Sequence, residues 1–146
     1  MRKKVVMAFG TFDILHPGHL HYLSKAKALG DTLIVVVSRD RSAASAKGRR
    51  PAMNERERLR IVSSLKVVDA AVLGNRSSGR DWKFRIIKRY RPDIIALGYD
   101  QRVRPNDLEL FLKRNRIAAD VVRIRNSYRP THSKSSLIKK RILAPD

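Results

Sequence analysis

The chain has 146 residues, 42% of them hydrophobic, which is enough to bury a core and points to a single domain over residues 1–146. It has no cysteine, which excludes disulfides, thiolate metal centres and cysteine nucleophiles, and no apolar run approaches the roughly 20 residues that cross a bilayer. Its 33 Lys plus Arg against 13 Asp plus Glu give a net charge of +20, a field that attracts polyanions and steers small phosphate-bearing molecules alike.

In chain order, the first element is an apolar, β-branched run at Val5–Gly10, too short for a signal-peptide core and read as a buried strand. The helix after it has Leu20, Leu23 and Ala26 as its inward stripe and Gly30 at its end. Residues 32–38 form the second strand. Residues 41–51, rich in Ala, Ser, Gly and basic side chains, read as a mobile segment. Asn54 caps a helix running to Leu65, with Leu59, Val62 and Leu65 facing inward. On it, Glu55, Arg56, Glu57 and Arg58 read as a solvated face. Ala70–Leu73 gives a short third strand. Residues 82–90 suggest a helix with Ile86 and Ile87 on one side, anchored by Trp82 and Phe84 and stopped by Pro92. Residues 94–97 are the fourth strand. Asn106 followed by Glu109 resembles a capping box for a helix that buries Leu108, Phe111 and Leu112. Residues 121–124 are the fifth strand, and Leu137, Ile138 and Ile142 mark a last helix.

Strands alternating with helices predict an α/β fold: a doubly wound, five-stranded parallel sheet with right-handed crossovers. Ligands of such sheets sit outside the carboxyl ends of the strands, which directs attention to the turns after Gly10, Leu97 and Ile124. The phosphate-loop pattern and the dinucleotide glycine fingerprint are both missing from the sequence.

The segment Gly10-Thr11-Phe12-Asp13-Ile14-Leu15-His16-Pro17-Gly18-His19 leads from the first strand into the first helix. Pro17 suits the first helical turn, where its missing N–H has no intrahelical partner to lose. Gly18 lets a phosphate approach the backbone, and the first-turn N–H groups with the helix dipole face that anion. His16 and His19, three apart, project from roughly the same side. Two imidazoles there suit charge building on a phosphoryl group in flight. As metal ligands they lack a third partner, Asp13 being the only near candidate, so no protein metal site is expected. His21, two residues past His19, points away and reads as a surface histidine.

This segment resembles the HxGH nucleotidyltransferase superfamily, in its cytidylyltransferase-like branch, and the likeness runs across nearly the whole chain. The resemblance implies a Rossmann-like five-stranded fold. It implies that His16 and His19 are catalytic, contacting the triphosphate and stabilising the transition state, and that Thr11 and Phe12 line the nucleotide pocket with Pro17 and Gly18. By the same likeness Lys47 binds phosphate from the loop after the second strand, and Asp100 contacts base or ribose. Near the carboxyl terminus, Tyr128-Arg129-Pro130-Thr131-His132-Ser133-Lys134-Ser135-Ser136 departs from the cytidylyltransferase motif Arg-Thr-x-Gly-Ile-Ser-Thr-Thr. It is closer to archaeal-type FAD synthases, which implies that Tyr128 contacts the adenine nucleotide and that Ser135 and Ser136 hold phosphate. Helix capping explains one of these serines equally well.

The expected reaction is transfer of AMP from ATP to FMN, giving FAD and pyrophosphate, with a divalent ion, Mg2+ by expectation, bound mainly through the substrate phosphates. Two alternatives stand beside it. One is a cytidylyl- or adenylyltransferase acting on a polyol or sugar phosphate, such as glycerol 3-phosphate or a heptose phosphate. The other is a nucleic-acid-binding protein on the same fold; basic residues spread along the chain make nucleic acid the less favoured partner. A cytoplasmic location without a membrane is expected. Relatives are often homodimers, which reaches this chain by analogy alone.

Overall fold

The structure, a computed structural model, describes residues 2–76, 82–125 and 135–144, with backbone only at residue 105 and at residues 135–138. Five strands, β1 (Val5–Gly10), β2 (Thr32–Val37), β3 (Ala70–Leu73), β4 (Ile94–Gly98) and β5 (Asp120–Ile124), form one sheet in the order β3-β2-β1-β4-β5. Every pairing is parallel. The helices are α1 (Pro17–Lys27), α2 (Asp40–Lys47), α3 (Glu55–Ser63), α4 (Arg85–Tyr90, preceded by a 3-10 turn at Trp82–Phe84), α5 (Pro105–Arg114) and α6 (Ser135–Leu143).

Alternate residues of each strand face opposite sides, and two cores result. Val6, Ala8, Leu33 and Val35 pack with Leu23 of α1 and Val62 of α3. Met7, Ile34, Val36 and Ile95 pack with Ile87 of α4 and Leu108 and Phe111 of α5. The sheet is therefore doubly wound, with its switch of strand order between β1 and β4. There the pairing stops early: β1 matches β4 only at Val6–Ile94, Met7–Ile95 and Ala8–Ala96. Each strand stays paired with its outer neighbour to its end, Gly10 with Val37 and Gly98 with Ile124. The sheet thus splits at its carboxyl edge.

Four local expectations are corrected. In α1, Leu20 is 45% exposed, and the buried face is Tyr22, Leu23 and Ala26. Gly30 is not a left-handed cap, since α1 ends through Ala28 in the right-handed region. Glycine is needed there for close packing: a Cβ would stand 2.7 Å from Val6 Cγ2 and 2.9 Å from the Lys4 carbonyl. Residues 41–51 are largely helical, since α2 occupies 40–47 and Gly48 ends it at φ 72°. Ala43 anchors that helix by burial. Asn106 and Glu109 do not form a capping box, because α5 begins two residues earlier than that box requires, at Pro105, with Arg104 in the cap position and no side-chain cap bond. The capping box at Asn54 is present, with Asn54 Oδ1 accepting from Arg56 and Glu57 N–H and Glu57 accepting from Asn54 N–H.

Candidate active site

The turn after β1 is held in an uncommon shape. Phe12 has φ 53°, a left-handed conformation costly for a bulky side chain. Its ring folds back over Gly10, where any Cβ would come within 2.5 Å of it, so glycine at residue 10 is a packing requirement. The same ring meets His19 edge-on at 5.3 Å.

His16 closes the turn as the N-cap of α1, extended at φ −145° and ψ 169°. Its Nδ1 accepts from Gly18 N–H at 3.1 Å, and its carbonyl accepts from His19 N–H at 3.0 Å. Pro17 has no N–H, so the first-turn amides expected to stand bare toward an anion are already engaged by His16. That expectation is corrected. A neutral imidazole that accepts at Nδ1 carries its proton on Nε2. His16 therefore keeps one donor with no hydrogen-bond partner among the described residues.

The rings of His16 and His19 stack at 3.7 Å and 24°. Burial lowers the pKa of His16, an effect that the Asp100 carboxylate opposes and the Lys47 ammonium reinforces. His19 is pushed down to about 3 by burial, by His16 and by Lys47. Both rings are neutral at neutral pH. His19 Nδ1 is buried and meets no hydrogen-bond partner among the described residues.

A cleft lies against these rings at the split between β1 and β4. His16, His19 and Phe12 wall one side, and Tyr99 and Asp100, in the turn after β4, wall the other. Asp100 is exposed, and so is Lys47, which sits on the last turn of α2 and not on a loop. The structure thus brings His16, Pro17, Gly18, His19, Phe12, Lys47 and Asp100 toward one strand-end edge. Thr11 lies beside them, its hydroxyl accepting from Ser38 Oγ–H at 3.0 Å. Tyr128 lies outside the described residues. Ser135 and Ser136 begin α6, with only their backbone described.

Several residues behind the site escaped the sequence reading. Arg58 is not on a solvated face; it is fully buried. Its guanidinium donates to the carbonyls of Thr11 and Ser38 at 2.8 Å each, to Met53 at 3.0 Å and to Asp40 Oδ1 at 2.7 Å. The signal was there, since Arg58 lies four residues before the inward-facing Val62. Glu55 is likewise half-buried, binding Arg39 at 3.0 Å and Asp40 N–H at 2.9 Å. Asp13 is buried and accepts from the N–H groups of Ala52 and Met53 at 2.9 Å and from Lys139 of α6. Burial alone raises its pKa, but Lys139 and the two amides outweigh that and hold it below the usual carboxylate range. His21 does not point away: it borders the cleft, with Nε2 at 3.3 Å from the Arg125 carbonyl.

Three comparisons bear on this arrangement. A family model described as cytidylyltransferase-like matches residues 7–141. A protein named FAD synthase from Thermococcus sibiricus is 42% identical over 143 residues, 97% of this chain and 95% of that protein. Another FAD synthase, from Methanothrix thermoacetophila, is 52% identical over 119 residues, 82% of this chain and 79% of that protein. Among solved structures, a protein from Thermoplasma volcanium described as a lipopolysaccharide core biosynthesis protein is 43% identical, with a TM-score of 0.78 over 87% of this chain and all of that one. With its histidine pair at the switch of a parallel sheet, and with likeness running from end to end, the chain belongs to the cytidylyltransferase-like family of nucleotidyltransferases.

Proposed function

We propose that the chain is an FMN adenylyltransferase, moving AMP from ATP to the phosphate of FMN to give FAD and pyrophosphate. The observation that carries this is the extended likeness, at 42% and 52% identity, to proteins named FAD synthase. An FMN phosphate oxygen attacks the α-phosphorus of ATP, the bond from that phosphorus to the bridging oxygen breaks, and pyrophosphate leaves. An ionised phosphate is already a nucleophile, so the protein supplies position and electrostatic stabilisation in place of a base.

In this reading His16 donates from Nε2–H to the triphosphate as charge builds, because its Nδ1 is committed to Gly18. His19 lines the same cleft, which brings the second imidazole beside the bound nucleotide. Neutral donors suit the task, since they need no deprotonation and do not repel each other across the 3.7 Å stack. Lys47 holds phosphate and Asp100 the ribose or base; Thr11, Phe12, Pro17 and Gly18 line the nucleotide; Tyr128, Ser135 and Ser136 complete the phosphate end. A divalent ion, Mg2+ in this proposal, arrives with ATP and is held through its phosphates. The described residues hold no group of three or more His, Asp or Glu able to bind a metal, and Asp13 spends its carboxylate on Ala52, Met53 and Lys139. The chain is proposed to act as one domain over residues 1–146. The charge of +20 draws its anionic substrates in.

Pyrophosphate release tests the reaction when ATP or CTP is combined with FMN, glycerol 3-phosphate or a heptose phosphate. ATP with FMN is expected to give the fastest turnover, and a faster sugar-phosphate pair overturns the acceptor. Replacing either histidine, His16→Ala or His19→Ala, is expected to lower turnover by about 100- to 1,000-fold, as for one lost transition-state donor. Unchanged rates in both single variants remove the catalytic assignment.

A further inference from the structure

The split between β1 and β4 is built, not frayed. Phe9 is the first residue of β1 beyond the last matched pair, yet both its backbone groups are satisfied across the gap by side chains. Phe9 N–H donates to the Tyr22 hydroxyl at 3.2 Å, and that hydroxyl donates to the Ala96 carbonyl at 2.6 Å. In the opposite sense, Gly98 N–H donates to Gln101 Oε1 at 3.1 Å, while Gln101 Nε2 donates to the Phe9 carbonyl. A hydroxyl and an amide are thus inserted where two ladder hydrogen bonds would otherwise run directly from strand to strand.

Both inserted groups are fixed from behind. Tyr22 is buried between α1 and the sheet, and burial raises its phenol pKa, so the hydroxyl stays protonated and able to donate. Gln101 is held by its own N–H on the Gly98 carbonyl at 3.2 Å, and Arg123 of β5 donates to the carbonyls of Gly98 and Gln101 at 2.8 and 3.1 Å. Phe9, Tyr22, Gly98 and Gln101 all border the cleft.

We infer that Tyr22 and Gln101 form a polar wedge that keeps the carboxyl ends of β1 and β4 apart, and that the opening so fixed decides which nucleobase the site admits. The inference rests on the reading that this cleft takes a nucleoside triphosphate. The wedge sets the separation between the histidine-bearing turn after Gly10 and the Asp100-bearing turn after Gly98. Without it, the strands draw toward direct pairing and the cleft narrows, which disfavours a purine more than a pyrimidine. Tyr22 and Gln101 are positioning residues in this account, and neither transfers a proton to substrate.

The test compares Tyr22→Phe and Gln101→Met with the parent chain by calorimetric titration of ATP and of CTP, each with Mg2+ and without any acceptor. ATP is expected to bind about tenfold more weakly to each variant, as for the loss of about 1.4 kcal/mol, with CTP nearly unaffected, so that the ATP-over-CTP preference falls about tenfold. An unchanged preference in both variants overturns the wedge, and so does an equal loss for both nucleotides, which is what general loosening of the fold produces. Should Gln101→Met fail to fold, Tyr22→Phe, which removes a single oxygen, decides the matter. Because the titration contains no acceptor, a parent chain that binds ATP here but leaves FMN unconverted in the separate pyrophosphate-release assay defeats the acceptor assignment without touching the wedge. A parent chain that binds neither nucleotide overturns both.

Discussion

His19 shows how a residue's chemistry is set by what surrounds it. Its ring is walled in by Phe12, His16 and the cleft, so protonation is driven down from the ordinary 6.5 to about 3. The unfolded chain takes up that proton near pH 6.5, so between about 6.5 and 3 it binds more protons than the native state, and stability falls as pH falls. His16, also shifted down, adds in the same direction. Urea melts from pH 7 to 4 are expected to show this loss, and His19→Phe is expected to flatten the slope. An identical slope in the variant means that the buried imidazole is not its source. The spacing of the two histidines was legible in the sequence. The tautomer of His16 was not, because it follows from Nδ1 meeting Gly18 N–H, a contact fixed only once Pro17 starts the helix.

At the scale of elements, the strands matched their expected positions to within a residue; the central strands β1, β2 and β4 are local apolar runs because both their faces are covered. Helix ends matched less well. The end of α1 depends on how closely Gly30 must pass β1, and the start of α5 on Pro105, which displaces the apparent cap at Asn106. What binds the elements together is Arg58, through which α3 reaches Thr11 at the end of β1, Ser38 after β2 and Asp40 at the start of α2. Replacing it by an apolar residue of similar length, Arg58→Met, leaves three carbonyls and a carboxylate short of a donor. The expected cost is about 3–5 kcal/mol of unfolding free energy, read from denaturant midpoints, with a loss of turnover because Thr11 opens the histidine turn. A cost below about 1 kcal/mol would show that water replaces the guanidinium and that the hub carries no weight.

For the whole molecule, two cores share one sheet, so neither face folds without the strands that build the other. A single cooperative unfolding transition is expected, with circular dichroism and Trp82 fluorescence giving the same midpoint. Two separate midpoints would contradict one domain over residues 1–146. The Asp13–Lys139 contact extends this unity to the carboxyl-terminal helix, tying α6 to the loop that bears the histidines.

The sequence alone determined the alternation of strands and helices, hence the doubly wound sheet, and it carried the histidine motif at the end of β1, because both are written in short contiguous stretches. The tertiary structure alone decided which partners the buried Arg58 and Asp13 hold, that His16 occupies the first-turn amides, and that Tyr22 and Gln101 hold the sheet apart. Each of these depends on groups far apart in the chain, with Gln101 meeting Phe9 across 92 residues and Lys139 meeting Asp13 across 126. Local pattern reports where strands and helices run; only folding reports which partner a residue finds.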